Sequence, residues 1–221
     1  MIALARLISL LFHPLLIMTY MLLLLLVVNP YLFGLSSLDE KPGQMLLLQV
    51  FFSTFFIPAF AMLMLRFLGL VPSLRFRERT DRIIPYIVTG VFYVWMFYNF
   101  LNNSQVPDAY TSFALGATIG LFLAFFINIF SRISAHTVGM GVFIGMVVIT
   151  MFLFSYGYFT VDLQSLGSWR LNMILILLVT LLIAGLVGTA RQMLEWREPI
   201  DLYGGYLIGF AAQVIAFRFI F

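Results

Sequence analysis

The chain contains no cysteine, only two histidines and a single lysine. Without cysteine there is no disulfide, no thiol nucleophile and no thiolate metal site. His13 and His136, with no carboxylates clustered on one expected helix face, are too few ligands for a zinc or paired-metal centre, so no cofactor is expected. Charged residues are only 10% of the chain. That leaves no basic domain or aromatic-studded groove outside the membrane for nucleic acid, and no material for the surface of a soluble domain.

What fills the sequence instead is apolar: 63% of residues, with a mean hydropathy of +1.08. Runs of about 20 apolar residues suit a hydrocarbon core about 30 Å thick, and they recur along almost the whole chain. Seven spans are expected, at about 5–28, 45–69, 84–101, 110–130, 137–156, 171–189 and 203–220, each bounded by polar residues, Pro or Gly. The fold class is therefore all-α, a polytopic transmembrane helical bundle, with residues 1–221 forming one integral membrane domain in a cell membrane such as the bacterial inner membrane. The first run is long and has no small-residue cleavage site, so it is expected to be a retained helix and not a removed signal peptide. Tyr31, Tyr98, Tyr110, Trp169, Trp196 and Tyr203 stand near span ends, as headgroup-level aromatics do. Gly141 with Gly145, and Gly205 with Gly209, have the spacing that lets helix backbones approach closely; such spacing also permits self-association into a homo-oligomer.

The few charges are distributed unequally. With seven spans, Arg6, Arg66, Arg75, Arg77, Arg79, Arg82, Arg132, Arg191 and Arg197 share one face of the membrane, and only Lys41, Arg170 and Arg218 lie on the other. The positive-inside tendency accounts for much of this by itself. A topology signal would be met equally well by lysine, however, whereas eleven of the twelve basic residues are arginine, whose planar fork matches phosphate oxygens bidentately. Three stretches concentrate the polar chemistry on that face: RFRERTDRIIP at 75–85, SRISAHT at 131–137 and ARQMLEWREPIDLYGGYLIG at 190–209.

In order and spacing these stretches resemble the three signature motifs of the type 2 phosphatidic acid phosphatase superfamily. The third motif of that family runs Ser-Arg, five residues, His, three residues, Asp; here Ala190-Arg191, five residues, Arg197, three residues and Asp201 follow the same spacing. Its second, Pro-Ser-Gly-His, is matched by Ile133-Ser134-Ala135-His136. Its first, Lys, six residues, Arg-Pro, is matched more loosely by Arg75, six residues and Arg82, with Pro85 displaced. The resemblance covers residues 75–209 and implies a six-helix core, 45–221, preceded by an extra N-terminal helix within 1–30.

The resemblance also implies roles. Arg75, Arg82, Arg191 and, as an added cation, Arg197 would hold the phosphate; Ser134 would donate a hydrogen bond to it. His136 would protonate the leaving alcohol, and Asp201 would orient the nucleophile. The nucleophile's own position holds Arg197, which stays protonated and has no lone pair with which to attack phosphorus. Asp201 would then pair with Arg197 across one helical turn. Three readings remain open: a protein that binds a phosphorylated headgroup without cleaving it, an active phosphatase in which His136 activates water or attacks, and an unrelated transporter or assembly subunit. The expected partners are the bilayer and an anionic phospholipid or lipid-linked phosphate.

Each residue also has a plainer explanation. Ser134 and His136 suit the cap of a helix, Asp201 suits a helix N-terminus, and His13, ahead of Pro14, has no partner in sequence and reads as structural. Asn128 and Gln213, inside spans, are expected to hydrogen-bond between helices. Orientation is left open: the charge count places the motif face in the cytoplasm, and the family resemblance implies the opposite side.

Overall fold

The structure is a computed structural model, describing residues 1–37, 39–71, 80–155, 157–163, 167–195 and 198–221. Among the described residues it contains seven helical segments long and apolar enough to cross a membrane, Ile2–Val28, Lys41–Phe67, Thr80–Leu101, Asp108–Asn128, Ala135–Phe154, Met173–Leu194 and Pro199–Ile220. The protein is a multi-span helical membrane protein of the expected all-α class. Such an architecture follows from the solvent, because hydrocarbon offers no hydrogen bonds and a helix satisfies its own backbone.

The first segment is not one helix. It divides into α1 (Ile2–Leu11) and α2 (Ile17–Val28), separated by an extended His13 (φ −65°, ψ 137°) and a short turn at Pro14–Leu16. Pro14 has no N–H to continue the ladder. In a straight helix residues 12 and 20 would stand about 12 Å apart along the axis. Their rings are instead 6.1 Å apart, and the Tyr20 hydroxyl donates to the Leu11 carbonyl at 2.6 Å, so the chain bends sharply at this elbow.

The second segment comprises α3 (Lys41–Phe51) and α4 (Ile57–Phe67), joined without a break by a wider π turn at Phe52–Phe56. Pro58, just beyond it, cannot donate to the preceding turn, and the wider winding accommodates that missing bond. Helices α5 (Ile83–Leu101), α6 (Asp108–Asn128), α7 (Ala135–Ile149), α8 (Met173–Leu194) and α9 (Pro199–Ile220) complete the bundle. Between α7 and α8 lies an element the sequence reading leaves as loop: an antiparallel hairpin of β1 (Tyr158–Leu163) and β2 (Gly167–Asn172). Phe159, Val161 and Leu171 pack on the core, and the Arg170 guanidinium lies 4.5 Å over the Tyr158 ring. The hairpin therefore covers the end of the bundle opposite the start of α7.

The tightest helix pair is α7 with α9. A Cβ on Gly141 would overlap the Tyr206 carbonyl, and one on Gly209 would overlap the Val138 carbonyl, so the two backbones touch directly. This is the close approach expected from the glycine spacing, and it is used within the bundle. Gln213 of α9 donates to the Phe113 carbonyl of α6 at 3.0 Å, the interhelical bond expected of it. One aromatic departs from expectation: Tyr110 is fully buried with its hydroxyl on the Met18 carbonyl at 3.0 Å, whereas Tyr31, Tyr98, Trp169 and Tyr203 are exposed. A tyrosine one turn into α6 faces the core, because the helix face it occupies is the one that carries Phe113 and Ala117.

Replacing Gly209 by alanine is expected to push the α7 and α9 backbones apart at a cost of about 1–3 kcal/mol. Alanine at Gly204, inside α9 where a Cβ meets nothing within 4 Å, should not lower stability and gains about 0.5–1 kcal/mol of helix propensity. Thermal unfolding in detergent of the two variants checks the contrast; equal melting temperatures would contradict the backbone contact.

Candidate functional site

Five segments bring polar side chains to the end of the bundle away from the hairpin: the elbow of the first segment, the start of α5, the start of α7, the end of α8 and the start of α9. Each end has a local cause. Arg82 closes a single turn at Thr80–Arg82 that leads into α5. Ser134 is extended (φ −90°, ψ 113°) as the residue before α7. Helix α8 ends at Glu195, also extended (φ −129°, ψ 123°), and Pro199 opens α9, where its missing N–H costs nothing.

At the centre stands a carboxylate between two guanidiniums. Arg82 Nη2 donates to Glu195 Oε2 at 3.2 Å, and Arg191 Nη2 donates to Glu195 Oε1. Arg82 Nη1 also lies 3.5 Å from the Ile133 carbonyl, tying the start of α5 to the start of α7. The side chains of Arg82 and Arg191 are 13% and 12% exposed, against 35% for Glu195. Two largely buried cations thus share one carboxylate, and partial removal from water makes their charges felt more strongly than at an open surface.

Around this triad are polar groups still lacking a partner. Ser134 is fully buried and its hydroxyl makes no hydrogen bond; the buried Nε–H of Arg191 makes none either, and the same holds for the Ser9 hydroxyl, all among the described residues. Ser134 is the residue before α7 but does not cap it with its side chain, so the first N–H groups of α7 gain nothing from that hydroxyl.

His136 sits in the first turn of α7. Its Nε2 is 3.1 Å from the Ser9 carbonyl, and since a carbonyl only accepts, Nε2 carries the proton. Its ring meets that of His13 edge to face, centroids 5.5 Å apart and planes at 79°. His13 accepts the Leu15 N–H on Nδ1 at 3.3 Å, which fixes the elbow, and it lies within electrostatic reach of Arg191. Asp201, in the first turn of α9, accepts a hydrogen bond from the Ser131 hydroxyl.

Of the residues singled out from sequence, Arg82, Ser134, His136 and Arg191 thus come to the same end of the bundle, and Asp201 opens the neighbouring helix. Arg75 and Arg197 lie outside the described residues, and so does the expected pairing of Asp201 with Arg197. Two participants were not anticipated. Glu195 stands four residues after Arg191, a spacing that puts both on one helix face and was legible. His13 gave only the signal of a proline after it; nothing local to residues 10–16 foretells His136 as its neighbour.

Comparison with known protein families, curated proteins and solved structures returns no match for this chain.

Because Arg82 and Glu195 connect segments 113 residues apart, their bond should contribute to the closure of this end. A double-mutant cycle over Arg82→Ala and Glu195→Ala, read by thermal unfolding in detergent, is expected to give a coupling energy of about 1–2 kcal/mol. A coupling indistinguishable from zero would mean that the two residues do not interact in the folded protein.

Proposed function

We propose that this protein binds the phosphate of a phosphorylated lipid at the Arg82–Arg191 site while the lipid's tail stays in the bilayer. The observation that carries the reading is two largely buried guanidiniums beside donors that lack a partner among the described residues, the Ser134 hydroxyl and the Arg191 Nε–H. A phosphate has the charge and the number of acceptor oxygens to satisfy both at once. The start of α7 adds the positive end of a helix at the same place. Position also favours a lipid: the site is at one end of a seven-span bundle, where a headgroup and a hydrocarbon chain are presented together.

Hydrolysis of the phosphoester is absent or impaired in this reading. By the motif spacing Arg197 holds the place of the nucleophile, and a guanidinium cannot attack phosphorus. His136, hydrogen-bonded through Nε2 to Ser9 and edge-on to His13, acts here as a wall and polar contact of the pocket. The setting is a cell membrane of the bacterial inner type, and the resemblance to the lipid phosphate phosphatases supplies the phosphorylated lipid as ligand.

The test is binding and turnover on the purified full chain in nanodiscs. Saturable binding of phosphatidic acid is expected, weakened at least tenfold by Arg191→Ala, the loss of a charged hydrogen bond of about 1.5–3 kcal/mol. No inorganic phosphate should be released from a panel of lipid phosphates. Release that disappears in His136→Ala would identify an active phosphatase instead, and the absence of both binding and release would remove the phosphate reading. Arg197→His, which returns a nucleophile to the spacing of the third motif, is expected to raise phosphate release above background.

A further inference from the structure

Outside the arginine site, the crevice between α5 and α6 forms an apolar groove of about 490 Å³. Ile87, Val91, Val94 and Trp95 make one wall, at the spacing that aligns them on one face of α5, and Phe122 and Phe125 of α6 make the other. Gly90 lies at the floor: a Cβ there would stand 3.1 Å from the Phe122 ring, so glycine lets that ring settle against the α5 backbone. From Ile87 to Tyr98 the groove follows eleven residues of helix, about 16 Å. A volume of about 490 Å³ over about 16 Å leaves a cross-section of roughly 30 Å². A helix with its side chains is about 10–12 Å across and needs roughly 80 Å² or more, so the groove admits a hydrocarbon chain and not a helix.

One mouth of the groove is at the arginine end. Ile87 stands five residues after Arg82, about 7.5 Å along the helix axis, and Phe125 three residues before α6 ends at Asn128. Buried Tyr86 joins groove and site: its ring is 5.7 Å from that of Phe125, and it packs in one cluster with Ile133, whose carbonyl lies 3.5 Å from Arg82 Nη1. We infer that this groove seats an acyl chain of the phosphorylated lipid whose phosphate lies at Arg82 and Arg191. The inference rests on the phosphate-binding reading and adds the place of the tail. Both flanking helices cross the membrane, so the groove faces lipid, and left empty it would forfeit the contacts of its lining. Its walls offer water too few polar partners to hold it. Moving a chain from bilayer to groove gains nothing from the hydrophobic effect, because both surroundings are apolar. Residence is decided by the headgroup instead: a chain of ordinary lipid exchanges freely, whereas one whose phosphate is held at the head of α5 leaves only when that phosphate does. Contacts along the walls then add to the hold on the same molecule.

The experiment places the full chain in phosphatidylcholine nanodiscs with a small mole fraction of phosphatidic acid that carries a photoactivatable diazirine midway along one acyl chain. Labelled residues are read by mass spectrometry. Labels are expected on the α5 and α6 walls of the groove, and are expected to fall about tenfold or more with excess unlabelled phosphatidic acid and in Arg191→Ala. Val94→Trp, which fills the groove from an exposed position, should abolish those labels. It should also weaken binding of long-chain phosphatidic acid about threefold or more while sparing inorganic phosphate. Val91→Trp makes the same test if the first variant fails to fold, and Leu182→Trp, on the exposed face of α8, should change neither readout. Labels unchanged by either groove variant, or matched by a phosphatidylcholine probe and indifferent to Arg191→Ala, would mean bulk lipid only. Alongside saturable binding of phosphatidic acid, that result overturns the tail site and leaves the phosphate reading standing. Cross-linking of two copies through the groove, prevented by Val94→Trp, would assign it to a second copy and overturn the inference too. Binding of inorganic phosphate without phosphatidic acid would reject the lipid and the tail site together. If neither binds, the phosphate reading falls and this inference with it.

Discussion

The direct contact of the α7 and α9 backbones is the constraint from which the arrangement of the site follows. Between apolar helices in a bilayer there is no hydrophobic drive, so close packing has to supply the association. Gly141 and Gly209 let the two helices approach until only backbone separates them. Once α7 and α9 are fixed, their first turns lie at the same end of the bundle, bringing Ser134, His136 and Asp201 to one level. Glu195, at the end of the helix before α9, is joined to that level through Arg82, which touches both it and the Ile133 carbonyl.

Electrostatics then determine what such an end can do. Buried arginines are tolerated when paired, and here Glu195 partly pairs two of them. Among the described residues the Arg191 Nε–H and the Ser134 hydroxyl are left without a hydrogen-bond partner. A structure whose only task was to hold its helices together would be served by apolar residues in place of all three. The free Nε–H of Arg191, together with the hydroxyl of Ser134, is what distinguishes this end from a passive cap.

Much of this was legible in the sequence. The seven segments follow from apolar length alone, and six of them begin and end within a few residues of expectation, because Pro, Gly and polar residues end helices at places the eye can find. Helix α8 runs to Leu194, several residues beyond the expected end, since Thr189, Arg191 and Gln192 are polar yet still helical at the membrane rim. The elbow after α1 and the π turn in the second segment were not legible, since hydropathy averages over windows much longer than one turn. The hairpin escaped notice because two strands of six residues give a weak pattern beside helices of twenty. For the site, arginine clustering and motif order singled out Arg82, Ser134, His136 and Arg191. The contacts that join them, through Glu195 and His13, depend on tertiary closure across more than a hundred residues, which no local pattern encodes.

The elbow gives the first segment a significance that a spare leading helix would lack. Its Ser9 carbonyl receives the His136 N–H, and its His13 ring covers the His136 ring. Shortening or displacing this segment would strand a ring N–H in a poorly solvated place and uncover the His136 ring. The stretch before residue 14 thus works as a doorpost, and whatever is joined ahead of it in an engineered fusion bears on the first turn of α7 behind it.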